Sequence, residues 1–280
     1  MADLKTNKTS QRVGALGSLG AASAGHLGSK LLNAALSTPA YSAFRGANVE
    51  VNANPEFSVS RGRIKALKGI NKSKAMVISS SVGVPGAYMP GPITERGRKA
   101  LKKFVSNPTP LPPSSTATFG GTKNTMTAFR ELSRKGSQGV VFLGGYGNNL
   151  QTAAHELTHA RAGKSALGKA WIKGSIASSR FLAPTAGIIM ASSDPDSRTS
   201  KAALVTSLAL HAPLLVEEAR ANIGATKSLR RMGLSEKALK LSRKAGRRAF
   251  ATYLVPVAGT AVGVAGTRSI MKYLKNRKNR

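Results

Sequence analysis

Two of the four histidines in this 280-residue chain stand four residues apart in His155-Glu156-Leu157-Thr158-His159, the H-E-x-x-H pattern. On a helix, residues i and i+4 share a face about one turn apart. Both imidazoles can then reach one Zn²⁺. Glu156, beside the first of them, is close enough to take a proton from a metal-bound water. Hydrolytic zinc sites usually combine three protein ligands with one open position. The extended pattern with a third histidine is excluded, because Ala162 stands at its glycine and Ser165 at its last histidine. The third ligand must come from another segment.

Residues 214–233 (LLVEEARANIGATKSLRRMG) read as a helix opening after Pro213 and closing at Gly233, with adjacent candidates Glu217 and Glu218. At 100° per residue, Glu218 shares a stripe with Leu215, Asn222, Ala225 and Leu229. Glu217 falls with Gly224, Ser228 and Arg231, which reads as the wet side. A carboxylate centred on an apolar stripe is costly unless it meets a cation or donors. Glu218 is therefore the expected ligand. Glu217 is expected to favour the helix dipole in a first helical turn.

His155-Glu156-Leu157-Thr158-His159, followed after an apolar interval by Glu218-Ala219-Arg220-Ala221-Asn222, resembles the membrane-linked gluzincin metallopeptidases. These include the CAAX prenyl proteases and the heat-shock membrane proteases. Their pattern is H-E-x-x-H, a hydrophobic hairpin, then E-x-x-A-D. The resemblance covers residues 140–233 and is specific only at the two motifs. It implies zinc ligation by His155, His159 and Glu218, with Glu156 as general base. Asn222 replaces the family's aspartate, on the same face as Glu218. There it can accept the other N–H of a ligating histidine, without the charge an aspartate would bring. The resemblance also implies that strand 140–143 serves as an edge strand near the cleft. Tyr146, in the glycine turn before the motif, and His211 are candidate oxyanion donors. A capping tyrosine and a packed core histidine are the plainer readings of those two.

These residues need elements to carry them. Residues 139–144 (GVVFLG) read as a strand, and Asn148 or Asn149 can cap a helix over 150–162 that stops at Gly163. Leu150, Ala153, Leu157 and Ala160 lie opposite the histidines and can pack on a core. Residues 75–79 read as a buried strand. Gly83, Pro85, Gly86, Pro90, Gly91 and Pro92 mark a loop, 96–105 a basic helix, 107–115 a proline-rich linker and 125–135 a helix. The expected fold class is α+β, mostly helical and zincin-like, with a small sheet preceding the H-E-x-x-H helix. Three parts are expected: a basic, small-residue extension over 1–46 with a short helix near 31–36, the metallopeptidase domain over 47–246, and an apolar segment with a basic tail over 247–280.

Composition sets the surroundings. The chain has no cysteine, so disulfides and thiolate sites are excluded and a metal must use N and O ligands. A reducing, intracellular location fits, and the N-terminus lacks the bulky apolar core of a signal peptide. With 43 Lys+Arg against 11 Asp+Glu, the net charge is +32. Such a field draws polyanions, either nucleic acid or an anionic lipid surface. Residues 174–193, 202–216 and 249–267 are weakly apolar. The first two read as a membrane-dipping hairpin or as two buried core helices. The last reads as membrane-entering or as a packed helix diluted by Pro256, Gly259, Gly263 and Gly266. The expected activity is zinc-dependent hydrolysis of a peptide or protein substrate. The competing expectation is a basic packaging or structural protein in which H-E-x-x-H is inert or structural.

Overall fold

The computed structural model describes residues 2–80, 86–92, 95 and 122–278. The basic helix at 96–105 and the linker at 107–115 lie outside the described residues. The chain forms α1 (Ala2–Asn52), a 3₁₀ turn (Pro55–Phe57), α2 (Arg61–Ile70), β1 (Met76–Ser79), β2 (Ala87–Met89), α3 (Thr122–Ser133) and β3 (Val140–Leu143). A second 3₁₀ turn (Gly145–Gly147) leads into α4 (Leu150–Ala162) and α5 (Ala166–Ala177). A π turn (Ser178–Leu182), α6 (Ala183–Ala191), α7 (Arg198–Arg231) and α8 (Glu236–Lys278) complete the chain. It is mostly helical with a small mixed sheet, as the pattern of the sequence led us to expect.

Two compact units result. One comprises Ala43–Ile172 with Glu217–Ala249, the other Met1–Ser42, Lys173–Val216 and Phe250–Arg280. This differs from the serial three-part division. Residues 2–46 are not an extension with one short helix but part of a continuous helix, and most of them join the second unit. The small residues that look unable to build a core there make close helix–helix contacts instead.

In the first unit, strand order is β1-β3-β2. β3 pairs in parallel with β1 (Val141 opposite Val77) and antiparallel with β2 (Val141 opposite Tyr88). Side chains alternate across a strand. Val141 and Leu143 therefore enter one core with Leu150, Leu157, Leu229 and Leu239, while Val140 and Phe142 enter another with Ala128 and Leu132. All four β3 residues are buried. The expectation that β3 is an edge strand is corrected: it is central, and β1 and β2 are the edges. β2 also lies within the Gly/Pro stretch read as loop. Gly139, at φ +105°, has the conformation that lets its backbone lie against the Met89 carbonyl at the start of this pairing.

The second unit is built from helices. α7 runs through Pro213 rather than opening after it, and α1 and α8 run through Pro39 and Pro256. α7 and α8 are long and apolar enough to cross a membrane. About a third or less of the most apolar window of each is buried, 33% in α7 and 28% in α8.

Candidate metal centre

The centre lies in the first unit, between α4 and the part of α7 that follows Val216. Asn149, not Asn148, caps α4. Its side-chain oxygen accepts from Thr152 N–H at 2.9 Å, while its Nδ2 donates to Asn48 Oδ1 at 3.1 Å and Asn52 Oδ1 at 2.9 Å. The start of α4 is thus tied to the end of α1. α4 is buried on both sides, with Leu150, Ala153, Leu157 and Ala160 wholly covered and His155, Glu156 and His159 under 9% exposed. α7 approaches it closely because Gly224 lies on Thr158, where a Cβ would collide with the threonine side chain.

Both imidazoles are held from behind by α7. His155 Nδ1 lies 3.0 Å from Asn222 Oδ1, and the Asn222 amide is oriented by a bond from Nδ2 to the Gly246 carbonyl at 3.3 Å. An amide oxygen only accepts, so His155 donates from Nδ1. His159 Nδ1 lies 2.8 Å from Glu217 Oε1, so it too donates there. Each Nε2 then turns toward the same point. The two Nε2 atoms are 3.1 Å apart. Glu218 Oε2 is 3.2 Å from His155 Nε2, and Glu218 Oε1 is 3.6 Å from His159 Nε2. Bonds of about 2.0–2.1 Å in a tetrahedral site put ligand atoms about 3.3 Å from each other, so this spacing fits one ion.

Glu218 Oε2 is buried and receives no hydrogen bond. A buried carboxylate facing two imidazole nitrogens needs positive charge beside it, from a metal ion or from a protonated ring. His159 responds to the same demand. Burial alone would lower the pKa of its ring, but the Glu217 and Glu218 carboxylates outweigh that and raise it to about 10. Among the described residues, His155, His159 and Glu218 form the group able to hold a metal ion.

Glu217 corrects the phase reading. It is 2% exposed, and it binds His159 and Arg220, whose Nε donates to Oε2 at 2.9 Å. The buried arc of α7 runs through Glu217, Glu218, Ala221, Ala225 and Ser228. Gly224 and Ser228 are contact residues of α4 and Asn71 rather than wet ones. An Arg three residues after Glu217 was the one sequence signal that a buried charge could be met there.

Glu156 stands beside the cluster. Burial pushes its carboxyl pKa up, partly offset by the two histidines and by a hydrogen bond from the Tyr88 main-chain N–H. β2 thus touches the candidate base through its backbone, a role no side-chain pattern announces. Tyr88 also donates from its hydroxyl to the Gln138 carbonyl at 2.6 Å, and burial pushes its phenol up to about 12.

Tyr146, one of the candidate oxyanion donors, packs its ring edge-on against Phe44, with centroids 5.7 Å apart. His211 belongs to the second unit, fully buried between Ser179 Oγ at 2.7 Å and Thr260 Oγ1 at 3.1 Å. It is the packed histidine of the plainer reading. No protein-family model, curated protein or solved structure matches this chain.

Proposed function

We propose that the protein is a zinc metallopeptidase of zincin type, with His155, His159 and Glu218 as ligands and Glu156 as general base. One observation carries the reading. Both Nδ1 donors are occupied by α7 oxygens, so two Nε2 atoms and the buried Glu218 carboxylate converge. Bound there, zinc would polarise a scissile carbonyl and lower the pKa of water towards about 7. Glu156 would take the proton of the attacking water and pass it to the leaving amine as the C–N bond breaks. Asn222 and Glu217 would keep the imidazoles aimed, and the Tyr88 N–H would hold the Glu156 carboxylate. The motif order supports a gluzincin-like peptidase, and the two long apolar helices support one associated with a membrane.

The test is Glu156→Gln, assayed for zinc content and for cleavage of a peptide library. Retained zinc with lost cleavage is expected. Cleavage equal to the parent's would remove Glu156 from the chemistry. The net charge of +32 favours a second property, a polyanionic partner such as nucleic acid or anionic lipid, which is compatible with the first.

A further inference from the structure

We propose that the second unit is built inside-out and sits in an anionic lipid bilayer, with its large apolar side chains against hydrocarbon. This rests on its own packing and not on the peptidase reading.

Its interior is rich in small and polar residues, with only a few large apolar ones, Ile188, Leu214, Val255 and Val264, among them. Ser29, Ser175, Ser179, Ser200, Ser207, His211, Thr260 and Thr267 are all buried, alongside alanines such as Ala21, Ala183, Ala191 and Ala203. Its exterior is the reverse. Phe181, Ile189, Val205 and Leu31 are each more than 60% exposed, and most of the exposed large apolar side chains among the described residues belong to this unit. A water-soluble bundle puts such residues the other way round. Exposed apolar area on this scale marks an interaction surface.

The helix contacts follow the rule for lipid, where no hydrophobic gain drives helices together and small residues allow close backbone approach. Gly25, Ser29 and Asn33 on α1 recur every four residues, as do Gly259, Gly263 and Thr267 on α8. They interlock antiparallel: Gly25 on Thr267 and Gly263, Ser29 on Gly263, and Asn33 on Gly259. A side chain at Gly25, Gly259 or Gly263 would strike the other helix. Gly187 likewise lies on Ser207 and Val264. His211 clasps Ser179 of the π turn and Thr260 of α8, a polar link between three segments.

Charge selects an anionic bilayer. The uncharged runs 202–216 and 249–267 are flanked at one end by Arg198, Lys201, Arg268, Lys272, Lys275 and Arg277, and Arg247 and Arg248 bound the second run at its other end. Lys275 joins the first of these ends together by bonding Asp194 and Asp196 in the turn before α7. Bases at the rim of an apolar surface meet anionic head groups, while a free protein partner would need matching acids.

The full chain itself supplies the first test. It is mixed with vesicles of phosphatidylcholine and phosphatidylglycerol, floated, then washed with high salt and alkaline carbonate. Retention through both washes is expected. Release by salt would reduce the association to surface charge and overturn the proposal. Because the chain has no cysteine, single cysteines at Val205, Ile189 and Val262 report their surroundings directly, with Lys227→Cys as the wet control. In vesicles the three are expected to resist a water-soluble maleimide and to be quenched by nitroxide-bearing lipid. Full maleimide labelling overturns the proposal. So does shielding that persists without lipid and gives cross-links between copies, which would assign the surface to self-association.

Discussion

At the scale of single residues, each histidine has its own oxygen behind it, and the two differ in charge. Asn222 is neutral behind His155, whereas Glu217 is a carboxylate behind His159, itself fixed by Arg220. The negative charge expected at position 222 from the resemblance is absent there, and a carboxylate stands at 217. Partners of this kind are worth about 10–100-fold in metal affinity. Glu217→Gln is therefore expected to weaken zinc binding by about that factor in competition with a chromophoric chelator. Asn222→Asp is expected to strengthen it. An unchanged affinity in both variants would reduce these contacts to packing. Glu156→Gln belongs to the same scale. It is expected to leave zinc in place and to lower hydrolysis by at least about 10²-fold, the ordinary worth of a general base.

At the scale of elements, the site depends on how α4 starts and how near α7 comes. Asn149→Ala removes the cap and leaves Asn48 and Asn52 without their donor. It is expected to cost about 1–2 kcal/mol in urea unfolding, and a loss near zero would show that the cap is redundant. Gly224→Val drives a branched side chain into Thr158. It is expected to cost about 1–3 kcal/mol and to release the metal, because Glu218 recedes from the histidines. Retained zinc in that variant would show that α7 can shift without breaking the site. Much of this scale was legible in the sequence. The VVFL run, the asparagine cap, the Gly163 stop and the choice of Glu218 all follow from local chemistry. The rest was set by tertiary contacts. Ala87–Met89 is a strand because β3 pairs with it, despite the glycines and prolines around it. Glu217 looked wet because a polar stripe was equated with solvent, whereas here it faces imidazole and guanidinium. Gly259 and Gly263 looked like dilution of an apolar helix, and they are its contact face against α1.

At the scale of the whole molecule, the proposed chemistry and the proposed membrane location fall to different parts of one chain. The unit of Ala43–Ile172 and Glu217–Ala249 carries the His–Glu cluster, and the other unit carries the exposed apolar surface. The charge of +32 suits an anionic surface, and binding to nucleic acid is expected to fall steeply with salt. Nucleic-acid affinity that is unmoved by salt would contradict an electrostatic origin. In the proposed centre, two segments far apart in sequence surround one ion. The most direct measurement is the metal content of the purified chain beside Glu218→Ala. One zinc per parent chain and none in the variant is the expected result. A parent chain without zinc after incubation with it, or a variant that binds it as tightly, would contradict the account.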